Sequence, residues 1–137
     1  MPWIIVAVIA RISLVVLFPF SAVDKIVHWN AALQQADSSF LPRASGPPLL
    51  MGSIVVELLA PACIIAGWHV RIAALVLAAF CAVTAVLYHS FWKFPDFWSR
   101  DGEGRGHLWD FLKNFGLAGG LLLLGIVAGL APAVPLL

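Results

Sequence analysis

Charge is scarce in this sequence. Lys, Arg, Asp and Glu together make up 11% of it and the net charge is +1, which gives no electrostatic basis for recognising nucleic acid or strongly anionic lipid. Cysteine is scarcer still: Cys63 and Cys81 lie in different apolar runs and form no CxxC pair, so they read as small packing residues, not as a redox dithiol. There is no CxxCH for haem attachment, no dinucleotide fingerprint, no H-E-x-x-H and no closed Cys/His set, so neither a metal nor an intrinsic cofactor is expected. What the chain has is apolar side chains, 62% of all residues, with a mean hydropathy of +0.99. A soluble domain of that composition would have almost no polar surface, and the chain is expected to be an integral membrane protein.

Four apolar runs carry the reading further: Trp3 to Val23, Pro48 to Gly67, Arg71 to Ser90 and Trp109 to Ala131. Each is long enough to cross the hydrocarbon core as a helix. The fold class is therefore all-α, a four-transmembrane-helix bundle over 3–23, 48–67, 71–90 and 109–131, in a single domain spanning residues 1–137. The first run lacks a basic leader and an A-x-A site and contains Arg11, so it is expected to be a span and not a signal peptide. Trp3, Trp29, Trp68, Trp92, Trp98 and Trp109 all fall near span ends, where indole suits the headgroup layer. Only Trp68 to Val70 separates spans two and three, which makes them an antiparallel hairpin and puts both longer connections on the opposite side. Gly116, Gly120, Gly125 and Gly129, with Ala74, Ala78 and Ala82, have the spacing that lets helices approach closely in lipid.

Lys25, Arg43, Lys93, Arg100 and Arg105 on the long-loop side outnumber Arg71 on the other, which by the positive-inside rule places the long loops in the cytoplasm. The loop from Trp29 to Pro47 is the expected place for a short interfacial helix, through Asn30 to Ala36. The aromatic stretch FWKFPDFW, Phe91 to Trp98, is expected to lie along the headgroups as a lid. Gly102, Gly104 and Gly106 read as a flexible turn.

Against this background the intramembrane polar residues stand out. By helical rise, Glu57 lies at the middle of its span and Arg11 roughly 3 Å from the middle of its own. An Arg11–Glu57 ion pair would neutralise both and fix how spans one and two pack. Equally open is Glu57 as a proton or ligand site, because intramembrane ionisable groups are functional candidates. Pro61, four residues on, frees the Glu57 carbonyl. A second group (Asp24, Lys25, Tyr88, His89, Lys113 and Asn114) falls in one layer toward the long loops. It offers donors, and in His89 a group that exchanges protons near neutral pH. Such a ring could floor a cavity for a carbonyl-bearing, lipid-soluble ligand such as a quinone. In the plainer reading, Lys25 and Lys113 snorkel to the interface. His107 and Asp110, at i, i+3 spacing, make with His89 only a weak metal set.

In order along the chain, Arg11, FSAVDKI, VVELLAP with its glutamate, G-x-x-x-R-I-A-A, YHSFW and LKNFGLAGGLLLL resemble the DoxX family of small bacterial membrane proteins. Ser21–Ala22 departs from the glycine that many members carry before the equivalent of Lys25. The resemblance implies a four-helix bundle in the bacterial inner (cytoplasmic) membrane and an association with oxidoreductase assemblies. It carries over Arg11, Lys25, Glu57, His89, Lys113 and Asn114 as family positions.

Three functions follow as expectations. The first is a membrane subunit of an oxidoreductase system that binds a quinone, with Glu57 and His89 handling protons and Lys25, His89, Lys113 and Asn114 binding the ligand. The second is a non-catalytic anchor that recruits a soluble oxidoreductase partner. The third, a small-solute or proton transporter, is disfavoured by the lack of an internal repeat unless the chain forms a homo-oligomer.

Overall fold

The computed structural model describes residues 2–39 and 41–130. Four of its helical segments are long and apolar enough to cross a membrane, Pro2–Val27, Gly46–Ala66, Val70–Lys93 and Glu103–Leu130, and there are no strands among the described residues. The protein is thus an all-α, multi-pass membrane bundle. The sequence boundaries shift by a few residues, most of all at span four, which starts at Glu103 and not at Trp109; its expected end at Ala131 lies outside the described residues.

The first crossing consists of two helices, α1 (Pro2–Val15) and α2 (Leu17–Val27). Pro19 explains the interruption: it has no N–H for the Val15 carbonyl and its ring crowds that carbonyl. A further break at His28, whose ring sits over the Asp24 carbonyl and carboxylate at 3.2 and 3.1 Å, turns the chain into α3 (Trp29–Asp37). This is the short helix expected after span one. It packs against α2 and the start of α4 (Gly46–Ala66), and a Cβ on Gly46 would collide with the Asp37 carboxylate.

The hairpin between α4 and α5 (Val70–Tyr88) closes as a Schellman turn. Gly67 takes φ +74°, the Trp68 N–H donates to the Cys63 carbonyl at 2.9 Å, and the Gly67 N–H donates to that of Ile64 at 3.4 Å. His69 also has positive φ, +48°, so the three-residue connection reverses the chain through two left-handed residues. One face of α5 is almost wholly small: Ala73, Ala74, Ala78, Cys81 and Ala85 are buried beside Leu77. Ala82, expected in that stripe, is exposed, because a strict four-residue repeat drifts around the helix while the buried face follows three- and four-residue steps.

Against α5 lies α6 (Glu103–Leu130). Gly125 sits against Leu75, with 3.3 Å available to an added Cβ, and Gly129 sits under the Arg71 side chain at 3.0 Å. Gly120 faces Leu14 of α1 at 3.2 Å, whereas Gly116 faces open space. The outer surfaces of all four spans are covered with exposed Ile, Leu, Val and Phe, which is the pattern of a bundle solvated by lipid. All six tryptophans are exposed, consistent with their reading as interfacial anchors.

The turn before α6 is not the flexible one expected. Asp96 caps the helix, accepting from the Glu103 and Gly104 N–H groups at 3.0 and 3.3 Å. A Cβ on Gly102 would collide with the Asp96 carbonyl and one on Gly104 with Phe94 Cβ, while nothing lies within 4 Å of Gly106. Nor does the aromatic stretch form a lid: Phe91 and Trp92 pack edge-on against Phe111 of α6, with ring centroids 5.3 and 5.7 Å away. These contacts turn Phe91 onto α6 and away from the cavity, while Trp92 and Trp98 stay exposed.

Two glycine substitutions test this cap. Gly104→Ala is expected to overpack the turn and lower stability by about 1–3 kcal/mol. Gly106→Ala, which adds a methyl to an open helical position, should raise it by about 0.5–1 kcal/mol. Thermal unfolding of both proteins in one detergent reads the difference.

Candidate functional site

Ser21 and Lys25 occupy successive turns of one face of α2, and that face meets Glu57 on α4. The Lys25 ammonium donates to both Glu57 oxygens at 2.6 Å, and the Ser21 hydroxyl donates to Oε1 at 3.0 Å. Lys25 Nζ also lies 3.1 Å from Ser21 Oγ and 5.8 Å from the centroid of the Phe80 ring. Glu57 is 2% exposed. A carboxylate at that depth persists only if its charge and lone pairs are met, and Lys25 and Ser21 meet them.

The ion pair expected between Arg11 and Glu57 is therefore made by Lys25. Arg11 precedes Ser21 by ten residues, roughly 15 Å along the helix toward the short-loop side, and among the described residues it makes no ion pair. Equal depth at the two span midpoints does not hold: the helix runs on to Val27 and not Val23, so Lys25 lies on its last turns and not beyond its end, and the long lysine side chain points inward where snorkelling would send it outward.

Above the pair opens a cavity of about 260 Å³ walled by five helices. α2 supplies Phe18, Ser21 and Lys25, and α4 supplies Leu50, Ser53 and Glu57. Thr84, Tyr88 and His89 come from the end of α5, Asn114 from α6, and Gln35 from α3, which forms the roof in place of the aromatic stretch. Because the Lys25 and Glu57 charges cancel within the wall, the lining presents hydrogen-bonding groups without net charge from this pair. Ser53 spends its hydroxyl on the Leu50 carbonyl at 2.8 Å, and Asn114 donates to the Asp110 carbonyl at 2.9 Å.

Of the ligand-binding residues expected from sequence, Lys25, His89 and Asn114 share this cavity, as does Glu57; Lys113 does not. Its side chain is 70% exposed and donates to Asp110 Oδ1 at 3.3 Å. Neighbours on a helix point about 100° apart, so with Asn114 turned inward Lys113 must face away. Asp24 likewise leaves the ring, pairing with His28 at 3.1 Å on the exposed surface. His89 and Asp110 come within 3.9 Å (Nδ1 to Oδ2), and the His107 ring centroid lies 5.8 Å from that of His89 while stacking on Phe94 at 4.7 Å. Among the described residues no three His, Cys, Asp or Glu side chains converge as metal ligands would.

Ser21, Gln35, Ser53 and Thr84 were not singled out from the sequence. The signal for three of them was present: Ser21–Lys25, Ser53–Glu57 and Thr84–Tyr88 are polar pairs at i, i+4, one on each of three spans. Two polar residues on one helical face of an apolar span mark a face turned away from lipid.

A multi-pass helical bundle with a charge-paired polar cavity between its spans defines the class of protein. The chain belongs to the DoxX family, whose model matches residues 6–90. That match takes in most of α1 and all of α2 to α5, with Lys25, Glu57 and His89. No curated protein and no solved structure matches the chain.

Since one partner left alone would be a buried unpaired charge, Lys25→Met and Glu57→Gln should each cost about 3 kcal/mol or more. The double variant should lie closer to the parent than the sum of the two, and Arg11→Gln should show no coupling to Glu57→Gln. Thermal unfolding of the parent, the three single variants and the two double variants in detergent measures the coupling; additivity at the Lys25–Glu57 pair would contradict the structure.

Proposed function

We propose that the protein is the membrane subunit of an oxidoreductase system and binds a neutral, carbonyl-bearing, lipid-soluble ligand, a quinone headgroup, in the cavity above Lys25–Glu57. The observation that carries the reading is the cavity itself: about 260 Å³ of space between membrane-spanning helices, edged by His89, Asn114 and Tyr88. Small-ligand sites have this mixture of apolar wall and a few convergent polar groups. The volume takes one ring and leaves the isoprenoid tail to lipid.

Charge favours the same class. Lys25 is already neutralised by Glu57 at 2.6 Å, so an anionic ligand would have to displace a bidentate carboxylate, whereas a carbonyl needs only a donor. The His89 ring lines the cavity, and an imidazole N–H turned to a bound carbonyl can donate to it. The chain brings no group that carries electrons, so these come from a partner, and its own residues bind, orient and supply protons.

Native mass spectrometry and lipid extraction of gently purified protein should recover a stoichiometric quinone. His89→Ala and Asn114→Ala should each weaken its binding about tenfold, the worth of one well-made hydrogen bond, and Lys113→Met should not. A bundle that stays ligand-free through repeated native preparations would make the protein an anchor for a soluble oxidoreductase instead.

A further inference from the structure

We infer that Asp110 and His89 form a proton relay that joins the cavity to water on the long-loop side. The inference rests on the cavity being a quinone site and assigns a route that this site needs. Quinone reduction consumes two protons with its two electrons, and the Lys25–Glu57 pair is a poor source, because a proton leaving Lys25 would strand the buried Glu57 charge. His89 is placed differently. Its ring lines the cavity, and its unbonded Nδ1 lies 3.9 Å from Asp110 Oδ2 on α6.

Exposure rises along the route, from His89 at 18% to Asp110 at 47% by side chain. A gap of 3.9 Å is too long for a hydrogen bond, and a small ring rotation or one bridging water closes it. Asp110 itself does not line the cavity; its other oxygen holds the exposed Lys113. The groups around His89 are Asp110, His107 and Asn114 from α6, Lys25 and Glu57 across the cavity, and Tyr88 on its own helix.

The step balances as follows. A two-electron donor, a reduced flavin on the partner, is oxidised as the quinone is reduced. A ring N–H of the His89 imidazolium breaks as a quinone oxygen takes its proton to form O–H, and the electron pair stays on nitrogen. Neutral His89 then takes a proton through Asp110 from water, and a second passage completes the quinol. An imidazole can do this because it accepts at one nitrogen and donates at the other.

The test uses the full-length protein in detergent, in excess over a short-tailed benzoquinone so that all quinone is bound, with dithionite as the two-electron donor. Quinol formation is followed by the loss of the quinone ultraviolet band, and affinity is measured separately by equilibrium dialysis. Asp110→Asn is expected to leave the affinity unchanged and to slow quinol formation about a hundredfold, the usual contribution of a positioned acid–base group. Azide, a small weak acid that can carry protons in place of the lost carboxyl, should restore the rate, which it would not do if Asp110 served only to hold α6. Asp110→Glu should retain most of the rate. Equal rates in parent and Asp110→Asn with binding intact, or a slowed rate that azide leaves unchanged, overturns the relay alone. A rate lost only with His107→Gln moves the route to that imidazole and overturns the assignment of Asp110. A parent protein that binds no quinone overturns the cavity reading and the relay with it.

Discussion

Everything at the centre of this bundle depends on one contact, the Lys25 ammonium held by both oxygens of Glu57. In the apolar interior of a membrane bundle the separated charges would be prohibitively costly, so the pair ties α2 to α4 more strictly than apolar packing could, since lipid competes equally for apolar faces. It also sets the character of the space above it. A paired lysine and glutamate leave a polar wall without their net charge, which suits a neutral polar headgroup and disfavours a free ion. Ser21 completes the arrangement by donating to Glu57 and accepting from Lys25, and Pro61 leaves the Glu57 backbone carbonyl without its helical donor. The contact is thus a local concentration of unsatisfied or tightly coupled polar groups in a layer where the helices are also separated by a cavity.

The two ends of the molecule are built differently. At the short-loop end, α4 and α5 turn back through Gly67 and His69, and α6 closes against α5 because Gly125 and Gly129 admit Leu75 and Arg71. Small residues there bring the α5 and α6 backbones together, while an open apolar groove of about 400 Å³ remains between α4 and α5. At the long-loop end the chain holds its helices apart with larger pieces, α3 on one side and the aromatic cluster of Phe91, Trp92 and Phe111 on the other. Asp96 and the glycines at 102 and 104 start α6 well before the apolar run begins. That early start carries His107 and Asp110 on a rigid helix to the side of His89, which a flexible loop would not do.

Composition and hydropathy made the four spans, the hairpin and the interfacial helix legible, since a chain with so little charge has few ways to bury its polar backbone other than membrane helices. Pairing was less legible. Pairing Arg11 with Glu57 assumed that the midpoints of two spans lie at one depth, whereas Glu57 meets the last turns of span one, where Lys25 sits on a helix that runs on to Val27. Grouping Lys113 with Asn114 used depth alone and ignored the helical rotation between neighbours. The facing directions were nevertheless written in the chain, in the polar pairs four residues apart at 21 and 25, 53 and 57, and 84 and 88. The contribution of Gln35 was not legible, because it depends on where α3 folds after the break at His28.

Electrostatics links the pair to the neighbouring histidine. If the proposed quinone binds beside this buried ion pair, a charge formed on it would be costly, so on that reading protons would arrive with the electrons. The paired residues cannot give them without creating the unpaired buried charge that their contact exists to prevent, and Tyr88 and Asn114 have no proton to yield at neutral pH. His89 alone among the side chains lining the cavity has an imidazole, which can accept a proton at one nitrogen and give one at the other, close to a half-exposed carboxylate. On the proposed reading, the ion pair that keeps its own charges cancelled in the cavity wall leaves the histidine as the group through which protons would enter.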